Sequence, residues 1–186
     1  VSLLRDDGQR LTAVDAAGVP EPVRHDDSGG LTFAGDLELA WDALQRPLGA
    51  VRKGVAASYT YGPRGNRVEK VEDGAVTRYV WDDGRLLATL DGAGNPVLRH
   101  VGIGSRILYS VGAASGVRVY LGDERGNVAA VTDGSGAVVA RYAYDAFGAE
   151  VGSSGALAGN ELRFAGTLGV LTDATGLVLM LSLIHI

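Results

Sequence analysis

A short pattern returns along this chain about every 20 residues, and any fold must accommodate that beat. Trp41, Tyr61 and Trp81 stand 20 residues apart, Gly122 follows after 41 and Tyr144 after a further 22. The aligned segments are Leu39-Ala40-Trp41-Asp42, Tyr59-Thr60-Tyr61-Gly62, Tyr79-Val80-Trp81-Asp82, Tyr120-Leu121-Gly122-Asp123 and Tyr142-Ala143-Tyr144-Asp145. A degenerate copy lies at His100-Val101-Gly102-Ile103, and weaker ones at Leu4–Gly8 and Arg24–Asp27. The fullest copies run from Tyr79 to Gly92 and from Tyr120 to Gly134. Aromatic residues at i and i+2 precede an Asp, then Gly with Arg or Asn, an apolar stretch and a second Asp-Gly.

This spacing predicts strands. Residues at i and i+2 share one face of a strand, so Tyr59 with Tyr61, Tyr79 with Trp81, and Tyr142 with Tyr144 project together. Asp accepts bonds from turn N–H groups and Gly adopts positive φ, so the Asp-Gly and Asp-x-x-Gly clusters read as hairpin turns. The chain has 28 Gly against 5 Pro with 46% hydrophobic residues. That glycine share is well above the usual ~7%, as many short strands and turns require. One hairpin is unstable alone in water, so each unit must lie against its neighbours. Cross-strand aromatic pairs help fix the register.

Few chemical functions fit this composition. A net charge of −5 without a basic cluster argues against nucleic-acid binding. The absence of cysteine removes disulfides, thiol nucleophiles and Cys-ligated zinc. His25, His100 and His185 are not clustered as metal ligands, and His100 reads as a packed strand residue. There is no Gly-x-Ser-x-Gly elbow and no phosphate-binding Gly loop. The doublets Asp6-Asp7, Asp26-Asp27 and Asp82-Asp83 lack calcium-loop spacing and read as turn chemistry. Arg67 and Arg85 are expected to cover neighbouring side chains or pair with the repeated Asp. No catalytic, metal or cofactor residue is assigned, and no membrane span is expected from apolar runs this short.

At these residues the chain resembles the Rhs/YD-repeat family, whose units carry Tyr-Asp followed by Gly-Arg or Gly-Asn. Tyr144-Asp145-Ala146-Phe147-Gly148 matches that pattern; Trp41-Asp42 and Trp81-Asp82 are aromatic variants, with Gly65-Asn66, Gly84-Arg85 and Gly126-Asn127 as second halves. From Tyr120 to Met180 the order of Tyr120, Asp123, Gly126, Asn127, Tyr142, Tyr144, Asp145 and Gly148, then Arg163-Phe164-Ala165-Gly166 and Thr172-Asp173, resembles the Rhs repeat-associated core. Gly62 replaces the expected Asp, the His100 unit lacks both Tyr and Asp, and Leu44-Gln45-Arg46 lacks its Gly.

The resemblance implies an all-β fold: an antiparallel sheet of tandem ~20-residue hairpins spiralling as part of a hollow shell. It further implies a structural, non-enzymatic module of a secreted or cell-surface protein, enclosing a variable C-terminal polypeptide that is often a toxin. The implied partners are that cargo, neighbouring repeats, and secretion-apparatus proteins or surface glycans. An adhesion module that binds glycans or cell surfaces is the alternative. Self-cleaving members use aspartates in a segment this chain is expected to stop short of, so no Asp inherits that role. Expected regions are 1–38 (degenerate leading repeats), 39–119 (YD repeats), 120–180 (an incomplete repeat-associated core) and 181–186. The last six, Leu181-Ser182-Leu183-Ile184-His185-Ile186, resemble a translated sequencing adapter. Both ends read as cut, and open sheet edges predict poor solubility. Genomic DNA read across the Met180–Leu181 junction is expected to diverge there; uninterrupted codons for these six residues would refute the artefact.

Overall fold

The computed structural model describes residues 2–16, 18–155, 157 and 159–180, so the adapter-like 181–186 lie outside the described residues. Sixteen strands, β1 to β16, lie side by side in chain order without a crossover. The all-β class and the tandem antiparallel pairing expected from the repeat are what the chain adopts. Two compact units divide it: residues to Thr60 with Lys70–Ala75, and Tyr61–Glu69 with the residues from Val76 onward.

The first unit holds β1 (Ser2–Arg5), β2 (Leu11–Ala16), β3 (Val19–His25), β4 (Leu31–Ala34), β5 (Leu37–Trp41), β6 (Pro47–Arg52) and most of β7 (Val55–Tyr61). Strand β8 (Arg67–Glu72) is split between the units. The second holds nearly all of β9 (Ala75–Asp82), then β10 (Arg85–Asp91), β11 (Pro96–Ile103), β12 (Arg106–Gly112), β13 (Gly116–Gly122), β14 (Val128–Asp133), β15 (Val138–Tyr144) and β16 (Glu150–Gly155). Beyond β16, residues 157 and 159–180 form a strap with one 3-10 turn (Gly166–Leu168) and a two-stranded ribbon of β17 (Leu171–Thr172) and β18 (Val178–Leu179).

Two turn types join the strands. In the wider one, the Asp42 N–H donates to Arg46 O at 2.9 Å, Gln45 N–H donates to Asp42 O at 3.0 Å, and Asp42 Oδ1 accepts from the N–H groups of Leu44 and Arg46. The same arrangement recurs at Asp26, Asp91, Asp123, Asp133 and Asp145. Its fourth residue is left-handed, which glycine adopts without strain, as at Gly126 with φ 90°. Where that Gly is missing, Gln45 takes φ 59° and Gln9 φ 63° in its place. At Gly62 the backbone bonds persist, Gly62 N–H to Asn66 O at 2.9 Å, and only the carboxylate contacts are lost. A one-residue register step accompanies these loops, pairing Trp41 with Pro47, Gly122 with Val128 and Tyr144 with Glu150.

The tighter turn uses two left-handed residues, Lys53-Gly54, Asp73-Gly74 or Asp83-Gly84. Here Asp82 differs from Asp42. Because Asp83-Gly84 closes the hairpin alone, Asp82 ends β9, pairs in register with Arg85 and meets its guanidinium at 3.1 Å.

In the second unit one sheet face is buried through Tyr79, Leu86, Ile107, Tyr120, Val128, Val131 and Ala140, clustered with Leu162 and Leu171 of the strap. A single sheet cannot bury a face by itself, and the strap provides the second layer. In the first unit Ala13, Val23, Ala50, Ala57 and Tyr59 are buried.

Gln45→Gly relieves a left-handed strain of ~1–2 kcal/mol but adds unfolded-state entropy, for a net stabilisation of about 0.5 kcal/mol. Urea denaturation should show a higher midpoint at unchanged slope. Hydrogen bonds from Arg46, Asn95 and Ser135 hold the Asp42, Asp91 and Asp133 carboxyls below the ordinary carboxylate value. Their contribution is therefore present above that value and lost as pH falls through the depressed one. An acid titration of the melting temperature should lose its steepest part when these three become Asn.

Candidate functional site

The second aromatic of a unit does more than pack. Trp41, at the end of β5, donates its Nε1–H to Leu31 O at 2.6 Å. Trp81, near the end of β9, donates to Arg67 O at 2.7 Å, and Tyr144, ending β15, donates its hydroxyl to Val128 O at 3.1 Å. In each case the acceptor is the first residue of the preceding strand, directly after the loop of the preceding unit. The aromatic thus clips one hairpin to the previous one. Trp41, Tyr61, Trp81, Tyr142 and Tyr144 are half-buried, whereas Tyr59, Tyr79 and Tyr120 are buried. Tyr79 and Trp81 have ring centroids 6.5 Å apart, and Tyr144 meets Phe164 edge-on at 5.9 Å.

Gly122 occupies this second-aromatic position without a ring, and there the strap enters. A Cβ on Gly122 would lie 2.8 Å from Thr167 Cγ2. The backbone N–H and hydroxyl of Thr167 both donate to Gly126 O, at 3.0 and 2.8 Å. Ala165 N–H donates to Asn127 Oδ1 at 2.9 Å, while Asn127 Nδ2 donates to Asp123 Oδ2 at 2.8 Å and Val128 N–H to Arg163 O at 2.9 Å. Burial pushes the Asp123 carboxyl up, but the bonds from Asn127 and the backbone outweigh it and leave it below the ordinary value. Asp123, Gly126 and Asn127 therefore serve the strap as well as their own turn. Gly148, after Asp145, is likewise overlain by Phe164, 2.6 Å from where a Cβ would stand.

Polar pins complete the seal. Tyr79 donates its hydroxyl to Glu161 at 2.9 Å, Asn160 Nδ2 donates to Tyr142 OH at 3.1 Å, and Arg163 lies over the Tyr142 ring while bonding Glu150. Burial first, then the Glu161 charge, drives the Tyr79 hydroxyl pKa far up, so it stays a donor. Arg67 and Asp173 form an ion pair at 3.7 Å with side chains 2% and 1% exposed. Breaking such a buried pair from one side is strongly destabilising. Glu161 and Asn160 stand outside the repeat register, and no sequence signal marked them.

His100 is buried, with Nδ1 2.6 Å from Ser110 Oγ, which donates to Tyr120 OH at 3.0 Å. This pairs a serine with a histidine, but Ser110 is 0% exposed and no substrate can reach it. Burial, with Arg118 adding repulsion, lowers the His100 pKa to about 4. Among the described residues no group of three His, Cys, Asp or Glu is placed to hold a metal ion. No helix of the described residues is long and apolar enough to cross a membrane, which says nothing of β-barrels.

Gly122→Ala should destabilise by ~1–3 kcal/mol through overpacking, and Thr167→Ser, which removes the clashing methyl, should recover most of it. The double-mutant cycle by chemical denaturation reads this coupling. His100 is neutral in the fold, so its contribution is intact above ~6.5 and declines toward pH 4, by about 3 kcal/mol in total. His100→Gln should flatten the stability profile over that window.

No family model matches the chain. It is 31% identical over 153 residues to the tRNA3(Ser)-specific nuclease WapA of Bacillus spizizenii, covering 78% of this chain and 7% of the relative. The tRNA nuclease WapA of Bacillus subtilis strain 168 is 30% identical over the same length, again with 7% of its own chain covered. The chain therefore spans only a small fraction of these relatives. Among solved structures, the Tc holotoxin pore of Photorhabdus luminescens superposes with a TM-score of 0.62 at 15% identity, over 95% of this chain and 11% of that one. A TcdB2-TccC3 crystal structure gives 0.61 at 16% identity, over 83% and 9%. With its repeat signature, its sheet of tandem hairpins and these likenesses, the chain belongs to the Rhs/YD-repeat family.

Proposed function

We propose that this chain is a wall segment of a β-shell that encloses a polypeptide carried by the same parent protein, and that it does no chemistry itself. The strap carries the reading. A repeat sheet that continues strand by strand has no closed core, and here a following segment folds back to seal one face at a unit that lacks its ring, Gly122. Such a sheet extends as a wall, and its work is mechanical: keeping a harmful or aggregation-prone cargo apart until delivery. The nuclease activity in the relatives' names belongs to those proteins, and we assign none to these residues.

In this reading residues 1–38 and 39–119 are wall repeats, and 120–180 are the repeat-associated core, with the strap as its last part. The signature residues, Trp41 and Asp42 through Tyr144, Asp145 and Gly148, set register between units. The partners are the cargo, adjoining repeats and a delivery apparatus, and the parent acts as a secreted or cell-surface protein. A glycan-binding role has less support, because Tyr59, Tyr79 and Tyr120 are buried and cannot stack on a sugar without opening the sheet.

The parent gene, expressed whole, tests this. The polypeptide that follows these repeats should resist protease in the intact protein and become sensitive when Arg67→Ala unpins the strap. Cleavage at the rate of the isolated cargo in the unmodified protein would overturn the proposal.

A further inference from the structure

Between the turn at Asp83-Gly84 and the turn at Gly104-Ser105, the second unit forms a half-open recess of about 40 Å³. Arg85 of β10, His100 of β11 and Arg106 of β12 line it together with Ser105, and Leu168 and Gly169 of the strap border it. None of the residues lining it is acidic. Arg85 spends one Nη2 contact on Asp82 at 3.1 Å, and Arg106 spends one on Glu124 O at 3.3 Å. A guanidinium has five N–H donors in a fixed fork, so each retains others. His100 is 9% exposed; its Nδ1 is taken by Ser110, while Nε2 is buried without a partner. A native core rarely leaves such an atom unsatisfied.

Size narrows the occupant. A water needs ~10–15 Å³ of such space, so the recess admits one small ion with a water or two and excludes phosphate esters or nucleotides. We propose that this recess is a binding site for a small inorganic anion of halide size, held beneath the strap by Arg85 and Arg106, with His100 Nε2 joining as a donor when the ring takes up a proton.

The bound ion ties two hairpin turns to Leu168-Gly169 and so reinforces strap closure. It also couples to protons. The charged groups around His100 are Arg85 on β10, paired with Asp82 on β9, then Arg106 on β12 and Arg118 on β13; Tyr120 is neutral, and the strap brings no charge at Leu168-Gly169. An anion among these cations favours the imidazolium, so binding tightens as pH falls.

The test melts the 186-residue chain in sodium chloride and in sodium gluconate at equal ionic strength. Chloride should raise the midpoint by at least ~2 °C, more at pH 5.5 than at pH 8. Arg85→Gln and Arg106→Gln should each abolish the difference, and His100→Gln should remove its pH dependence. Should a variant fail to fold, bromide-soaked crystals of the unmodified chain decide, with an anomalous peak expected between Arg85, His100 and Arg106. Equal midpoints in both salts, a chloride effect that survives both arginine substitutions, or a bromide map empty at this recess overturns the proposal.

Discussion

Trp41, Trp81 and Tyr144 each reach back to the first carbonyl after the preceding unit's loop, and that reach makes a file of hairpins one sheet. A hairpin of four to eight residues per strand buries too little to stand alone. Backbone ladders join any two strands without regard to which two. The ring adds specificity, because its donor meets an acceptor only when the previous loop closes at the right residue and the register step falls where it does. One such bond contributes ~1 kcal/mol net, but repeated along the sheet it favours one register over its slipped alternatives.

The strap exploits a place where this device is missing. Gly122 leaves a notch beside the loop at Asp123, and Thr167 fills it while its backbone and hydroxyl bond Gly126 O. The strap thereby docks on a carbonyl within the same loop that the repeats clip from the side. Its other anchors include polar pins to repeat residues, Tyr79 with Glu161 and Arg67 with Asp173. Buried charges of this kind favour one placement of the strap over approximate ones, since a misplaced strap leaves Arg67 or Asp173 uncompensated.

The strands and turns were legible because their causes are local. Two-residue alternation, Asp at loop starts and Gly at positive φ are written within five residues of where they act. The departures from the motif were legible only as departures. Gln45 looked like a lost glycine, yet it adopts the glycine conformation. Gly122 stood in one of the fullest copies as a missing aromatic, and its use depends on Thr167, 45 residues away. Asp82 looked like Asp42, but the Asp-Gly that follows closes a shorter turn. The strap's anchors escaped notice because Glu161 and Asn160 carry no period, and only the folded path brings them to Tyr79 and Tyr142.

The claim that units lean on one another through the second aromatic is open to a direct measurement. In Tyr144→Phe the ring is kept and only the hydroxyl to Val128 O is removed. Amide hydrogen exchange should then quicken at Asp123 and Gly126, in the loop of the preceding unit, and stay unchanged at Asp145 and Gly148 in the residue's own loop. Faster exchange confined to Asp145 and Gly148, with Asp123 and Gly126 still protected, would contradict the account.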